Sequence, residues 1–334
     1  MNIIKAIIKT VNKREFTVTE RERPELGVDE ILVKVEYCGV CGSDLHAANH
    51  DPGYEFVPFP IILGHEISGK VHEVGSKNLE KYNGKNIVIL PSIYCGECEQ
   101  CQNGQYNICE NIRGLGLHFD GGMREYIIVK ENQILLLPDE LPLDVAALVE
   151  PFSVAMHAVN LLRDNIAGKK VLVQGCGIIG FFTAIIADHF NADVILSGTE
   201  EDQEHRLSKA DSFNLITKLN DEISKDKFDF IFECSGSSIA FSKAVKLVKK
   251  GGGIIAIALY KDELTIPVNV MVRGEIDIYS SYASTLSAFE KSIEILSENP
   301  QRFKELISTY QVNEVDQAFD DGFSKRVLKP MISF

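Results

Sequence analysis

Lys170-Val-Leu-Val-Gln-Gly175-Cys-Gly177-Ile-Ile-Gly180 joins an apolar run to a glycine turn, and a helix-compatible stretch follows through Phe190. An apolar strand that ends in G-x-G-x-x-G and opens a helix is the context in which backbone can wrap a dinucleotide. Gly175 permits the sharp bend, Gly177 lets backbone approach a pyrophosphate, and Gly180 lets the helix lie close on the strand. The start of the helix supplies unpaired amides and positive potential to an anion. The glycines alone would also fit an ordinary strand-to-helix turn; the strand before them and the helix after them favour the dinucleotide reading.

Downstream, Ala192-Asp-Val-Ile-Leu-Ser predicts a second strand and 204–211 a helix. Phe228-Asp-Phe-Ile-Phe-Glu predicts a third strand, 239–249 a helix, and Gly253-Ile-Ile-Ala-Ile-Ala-Leu a further strand. Strands alternating with helices predict a doubly wound parallel sheet, so the chain is of the α/β class. The second strand of such a unit usually ends in an acid that binds the adenine-ribose hydroxyls. Here Ser197, Gly198 and Thr199 stand at that point, and Glu200, Glu201 and Asp202 follow. Those acids repel a 2′-phosphate, so NAD is favoured and NADP stays open.

Upstream of the sheet the texture differs. Ile31-Leu-Val-Lys-Val-Glu-Tyr, Gly69-Lys-Val-His-Glu-Val-Gly and Glu125-Tyr-Ile-Ile-Val read as short strands punctuated by Pro24, Gly27, Pro58, Pro60 and Gly64. This predicts a β-rich region with loops. One loop is Cys95-Gly-Glu-Cys98-Glu-Gln-Cys101-Gln-Asn-Gly-Gln-Tyr-Asn-Ile-Cys109. Four thiolates fill the tetrahedral sphere of one zinc and leave no place for substrate, so such a metal staples a lobe of about residues 91–112.

A second set of possible ligands lies in Cys38-Gly-Val-Cys41-Gly-Ser43-Asp44-Leu-His46, in Gly64-His65-Glu66 and at Glu150. Cys38 and Cys41 could instead form a redox pair or half of a zinc finger. His65 standing alone would be a structural histidine, and Glu150 a helix-start acid ahead of the run 152–162. Two unlike metal sites favour a zinc dehydrogenase over a finger.

The chain has 334 residues, enough for two ordinary domains, and 48 acidic against 34 basic residues give a net charge of −14. That balance argues against nucleic-acid and anionic-membrane partners. The longest apolar stretch, 176–187, is too short to span a bilayer, and no secretory leader is expected, so a cytoplasmic protein is predicted. Cys176 and Cys234 read as plain buried residues.

The ordered set Gly39-Val-Cys41-Gly-Ser43-Asp44-Leu-His46, Gly64-His65-Glu66, Val149-Glu150-Pro151, the four cysteines and Gly175 to Gly180 resembles the zinc-containing medium-chain alcohol dehydrogenases. The subgroup is similar to the sorbitol, butanediol and threonine dehydrogenases. The resemblance implies a GroES-like catalytic domain from 1–152 and 284–334 beside a Rossmann domain at 153–283, with ligands in a cleft between them. It implies two zincs per chain. Catalytic zinc ligands are implied at Cys41 and His65, with Glu66 or Glu150 directly bound or just behind. Structural zinc ligands are implied at Cys95, Cys98, Cys101 and Cys109. Asp44 would support the histidine ligand. Ser43 would take the alcohol proton and His46 would pass it to solvent. Ile179 and Arg206 would contact the dinucleotide, and Ile257, Ala258 and Leu259 would lie beside the nicotinamide.

The loop His50-Asp-Pro-Gly-Tyr54-Glu-Phe56 is polar and aromatic, which suits a polyol, sugar alcohol or vicinal diol. A 3-hydroxy amino acid is the runner-up, disfavoured because the chain has no tryptophan. A homo-oligomer, tetramer or dimer, is common among such enzymes. An inactive dinucleotide-binding sensor or structural protein is the reading from another class.

Overall fold

Lys170–Gln174 lies inside a six-stranded, all-parallel sheet. The order across it is Ile216–Leu219, Asp193–Gly198, Lys170–Gln174, Phe228–Glu233, Val248–Ala256 and Asp277–Ser280. Val171, Leu172 and Val173 are fully buried, as expected of a strand covered on both faces. The helix Ile178–His189 buries Phe181, Phe182, Ala184 and Ile186. The chain leaves Lys170–Gln174 to one side for the next strand and later returns to its other side. The carboxyl end of this strand is therefore the switch point at which open α/β sheets bind ligands. The computed structural model describes residues 3–162, 166–223, 226–261 and 263–334. The chain divides into two compact units, 151–288 and a second made of 1–150 with 289–334.

Several elements differ from the sequence reading. Residues 204–211 form turns that run into a 3₁₀ segment, Leu207–Phe213, instead of an α-helix. The helix expected over 239–249 ends at Leu247, because Val248 already starts the strand Val248–Ala256. Ile216–Leu219, the helix Val268–Gly274 and Asp277–Ser280 carried no legible signal: each is short, and Ile216, Val268 and Ile278 remain exposed.

In the other unit the hub is Glu30–Gly39. It pairs antiparallel with Glu66–Val74, with Tyr126–Lys130 and with the C-terminal strand Lys329–Ser333. Ile31, Val33 and Val35 point into a core shared with Ile62, Ile67, Met123, Ile127 and Phe319. Burying each such large side chain contributes about 1.5–3 kcal/mol. Register then decides the site. Gly39 faces Glu66 on one side and Met331 on the other, which gathers the start of the helix Gly42–Ala48, the Gly64 turn and Lys329 at one strand end.

Candidate active site and metal centres

Cys41 caps the helix Gly42–Ala48, and its backbone N–H donates to Asp44 Oδ2 at 2.9 Å. Asp44 is fully buried, and its Oδ1 accepts from Gly64 N–H at 3.1 Å and lies 3.7 Å from His65 Nδ1. One carboxylate therefore ties the helix carrying Cys41 to the turn carrying His65. Gly64 has φ +91°, and a Cβ there would meet Cys38 Sγ at 2.5 Å, so only glycine makes this turn. Ser43 Oγ lies 3.5 Å from His65 Nε2. Cys38 is fully buried and packs in the core of this unit with Ile67 and Met123.

Burial alone would lower the pKa of His65, but Asp44, Cys41 and Glu150 together push it well above its ordinary value. Its Nδ1 is buried without a hydrogen-bond partner. Glu150, which opens the helix Val149–Asn160, is raised to about 7, chiefly by burial. Cys41, His65 and Glu150 share one electrostatic neighbourhood and are of the ligand types a divalent cation takes, although their donor atoms do not all lie within 4.8 Å of one another.

Glu66 faces the other way. Lys329 Nζ donates to Glu66 Oε1 at 2.6 Å and Oε2 at 2.7 Å, and to the carbonyl of Val40 at 3.1 Å. Lys329 and Glu66 have side chains 1% and 0% exposed, so this ion pair is cut off from water directly behind the Cys41 segment. Sequence reasoning missed Lys329. His46 lies on the outer part of the same helix, its Nδ1 2.6 Å from Asp51 Oδ2.

Cys95, Cys98, Cys101 and Cys109 are the one group among the described residues whose donor atoms all lie within 4.8 Å of one another. Sulfur separations of 3.5, 3.9 and 4.0 Å bracket the roughly 3.8 Å edge of a tetrahedron built on Zn–S bonds of about 2.3 Å. Backbone N–H groups of Cys98, Cys95 and Asn111 point at sulfurs. Backbone hydrogen bonding at Glu97 and Cys98 draws the Cys95 thiol down to about 6. The set fits a closed, four-thiolate zinc.

In the parallel-sheet unit, Gly175 has φ +94°, and a Cβ there would meet Ser235 backbone at 2.9 Å. A Cβ on Gly180 would strike Gly175 O at 1.8 Å, whereas one on Gly177 would meet nothing within 4 Å. The fold itself thus demands Gly175 and Gly180, while Gly177 leaves an open cradle at the N-cap of Ile178–His189, of the kind a pyrophosphate fills. Glu233, fully buried, accepts from Ser235 N–H at 2.9 Å, from Gly236 N–H at 3.2 Å, and from the Ser235 and Tyr260 hydroxyls. Ile257 and Ala258 donate to the Glu233 carbonyl at 3.0 and 3.3 Å, which draws the 257–259 segment, with exposed Leu259, to the same sheet end. Asp202 folds back on Thr199, accepting from its N–H at 3.0 Å and its hydroxyl at 2.8 Å. Its other oxygen lies 3.5 Å from Arg206. Cys176 is buried and Cys234 partly so.

The chain matches two family models, the alcohol dehydrogenase GroES-like domain over residues 27–139 and the zinc-binding dehydrogenase over residues 179–298. Sorbitol dehydrogenase of Bacillus subtilis (strain 168) is 30% identical over 338 residues, covering 96% of this chain and 95% of that protein. The chain belongs to the zinc-type alcohol dehydrogenase family. L-galactonate-5-dehydrogenase of Escherichia coli (strain K12) is 32% identical over 295 residues, 85% of each chain. An alcohol dehydrogenase from E. coli CFT073 solved with NADH superposes with a TM-score of 0.89 at 25% identity, covering 100% of both chains. The two units of this dehydrogenase are thus a GroES-like unit and a Rossmann unit. None of its helices, among the described residues, is long and apolar enough to cross a membrane.

Proposed function

We propose that this dehydrogenase oxidises a secondary alcohol of the polyol, sugar-alcohol or vicinal-diol type, using NAD and a zinc held by Cys41, His65 and Glu150. The observation that carries the proposal is His65, which lies 3.7 Å from the buried Asp44 carboxylate and 3.5 Å from Ser43 Oγ, with Asp44, Cys41 and Glu150 all favouring positive charge at the ring. When bound, zinc polarises the alcohol oxygen as a Lewis acid and the nicotinamide accepts hydride. Asp44 orients His65, as carboxylates behind ligating histidines do. Glu66 acts from behind, neutralised by Lys329, and both its oxygens are occupied. Ser43, beside His65 Nε2, takes the hydroxyl proton, and His46 carries it toward solvent. Gly175, Gly177, Ile179 and Gly180 cradle the pyrophosphate, Arg206 lies along the adenosine, and Ile257, Ala258 and Leu259 flank the nicotinamide.

The polyol class rests on the relatives and on the loop after His46, where Tyr54 stacks on the imidazole with centroids 5.4 Å apart and Phe56 stacks on His118 at 4.8 Å. NAD over NADP is supported by Asp202, whose carboxylate neutralises Arg206 at the point where a 2′-phosphate would need a free cation. The absence of nucleic-acid and anionic-membrane partners is supported by the net charge of −14, and a cytoplasmic location belongs to the same reading. A homo-oligomer rests on the resemblance alone.

Zinc-loaded protein assayed with sorbitol, L-galactonate, 2R,3R-butanediol, L-threonine and ethanol, each with NAD and NADP, tests the proposal. A polyol, sugar acid or diol with NAD should give the highest kcat/KM. Preference for L-threonine would replace the substrate class, and silence across the panel from fully metallated protein would overturn the activity.

A further inference from the structure

The segment after the helix Gly42–Ala48 returns on the helix it has just left. His50 adopts φ +52°, and Asp51 N–H donates to the carbonyl of His46 at 3.0 Å. The turn sets Asp51 Oδ2 2.6 Å from His46 Nδ1, while Tyr54 stacks on the imidazole at an interplanar angle of 26°. The Asp51 carboxylate is itself fixed. Its Oδ1 accepts from Asn49 Nδ2 at 2.6 Å, and Asn49 Oδ1 accepts from Arg14 Nε at 2.7 Å. Arg14 donates its backbone N–H to the Ala48 carbonyl at 2.8 Å, and its guanidinium lies 3.9 Å from the centroid of the Phe323 ring. Four side chains, Arg14, Asn49, Asp51 and His46, thus run hand to hand to the imidazole.

Their exposures suit a fixed base. The Asp51 side chain is 14% exposed, and that of His46 is 43% exposed. The carboxylate is shielded and held while part of the imidazole meets water. A histidine whose Nδ1–H is engaged by an oriented carboxylate presents Nε2 as its accepting atom.

We propose that Asp51 is the positioning residue of His46: it fixes the tautomer and plane of the imidazole and holds the imidazolium that forms when His46 accepts a proton. This rests on the reading above, in which His46 is the exit for the alcohol proton. In the step, Nε2 gains one proton from the relay and then loses it to water. Asp51 remains a carboxylate throughout, and no other bond changes.

Tyr54 stands on the same loop, Arg14 lies behind Asn49, and Lys9 and Lys13 act on His50, whose Nε2 is 3.4 Å from Lys9 Nζ. The helix Val315–Phe323 offers Phe323 against Arg14 and Gly322 against Leu45. Asp51 is the one carboxylate among these contacts on the imidazole, so its removal should be read directly in the ring.

The test records the two ring-nitrogen signals of His46 by ¹⁵N NMR under assay conditions in zinc-loaded, histidine-labelled protein, in wild type, Asp51→Asn and Asp51→Glu, with His46→Gln for assignment. Wild type should carry the ring proton on Nδ1, facing the Asp51 carboxylate; Asp51→Asn should mix the two tautomers, and Asp51→Glu should restore part of the Nδ1–H form. In alcohol oxidation with sorbitol, or the panel alcohol that turns over fastest, kcat of Asp51→Asn should fall roughly tenfold with KM little changed, a smaller loss than removing the base itself would give. An unchanged tautomer ratio in Asp51→Asn, or a kcat loss without a tautomer change, would overturn the proposal. If Asp51→Asn does not fold, Asp51→Glu decides alone, a wild-type ratio with reduced kcat counting against it. A His46→Gln enzyme with wild-type kcat would instead sink the proton-exit reading beneath it, whatever the tautomer signals.

Discussion

Replacing Lys329 by Met removes the cation from a pair in which neither side chain is more than 1% exposed. Both Glu66 oxygens lose their donor, at 2.6 and 2.7 Å, and the Val40 carbonyl loses its partner at 3.1 Å. Met fills much the same volume, so the loss is electrostatic: an uncompensated buried carboxylate, which costs about 3–5 kcal/mol. For a unit of this size that corresponds to a fall in Tm of about 6–20 °C. Burial alone would lower the Lys329 pKa, but Glu66, Cys41 and Glu150 raise it above its ordinary value of 10.5. The stabilisation is therefore complete below pH 10.5 and is lost only as pH rises through the folded value. Calorimetry and urea unfolding of zinc-loaded protein at pH 7 measure the loss. The double variant Lys329→Met, Glu66→Leu is the control, and it should recover most of the stability because an apolar pair leaves no orphaned charge. A single variant that loses less than about 1 kcal/mol, or a double variant no better than the single, would refute the reasoning.

Gly177→Ala should fold with wild-type stability and bind NADH at least about tenfold more weakly, because its Cβ meets no protein atom and only the cradle is filled. Gly180→Ala should lose both stability and binding, because its Cβ would lie 1.8 Å from Gly175 O. Thermal melts beside NADH fluorescence titrations separate the two, and equal stability losses would contradict the distinction. Asp321 accepts from the Tyr310 hydroxyl at 2.7 Å and from Gln317 at 2.9 Å, and pairs with Arg326 at 2.8 Å. Burial would raise its pKa, but these three partners hold it below the ordinary 3.8. Asp321→Asn should therefore cost about 1.5–3 kcal/mol at pH 7, and the difference should close as pH falls through the folded value. A pH-independent difference in urea unfolding would contradict this.

The parallel sheet was legible because Val171, Leu172 and Val173 form an unbroken apolar run against a glycine turn, a pattern fixed by local sterics. The four-cysteine lobe was legible because its ligands are close in sequence. The Cys41 and His65 neighbourhood was named by motif, but its assembly depends on the pairing of Gly39 with Glu66, which no local pattern declares. Lys329 was silent: it is 263 residues from Glu66 and reads as a surface lysine until the register of Met331 with Gly39 places it beneath the site. Asp202 and Asp51 were hidden for a related reason. Each works through a chain reversal that brings its carboxylate back to a residue three or five positions earlier, and Thr199 and His46 announce no such return. The helix expected over 204–211 failed where local side-chain bonding competes with the backbone ladder: Ser208 bonds the Glu204 carbonyl within the segment, and just before it Asp202 turns back onto Thr199.

The central claim is that one divalent ion is shared by Cys41 and His65. Anomalous diffraction across the zinc edge, on crystals of protein whose zinc content has been measured, tests it most directly. Two peaks per chain are expected, one among Cys95, Cys98, Cys101 and Cys109 and one between Cys41 Sγ and His65 with Glu150 nearby. A single peak at the four thiols in zinc-saturated protein, with Cys41 and His65 bare, would contradict it.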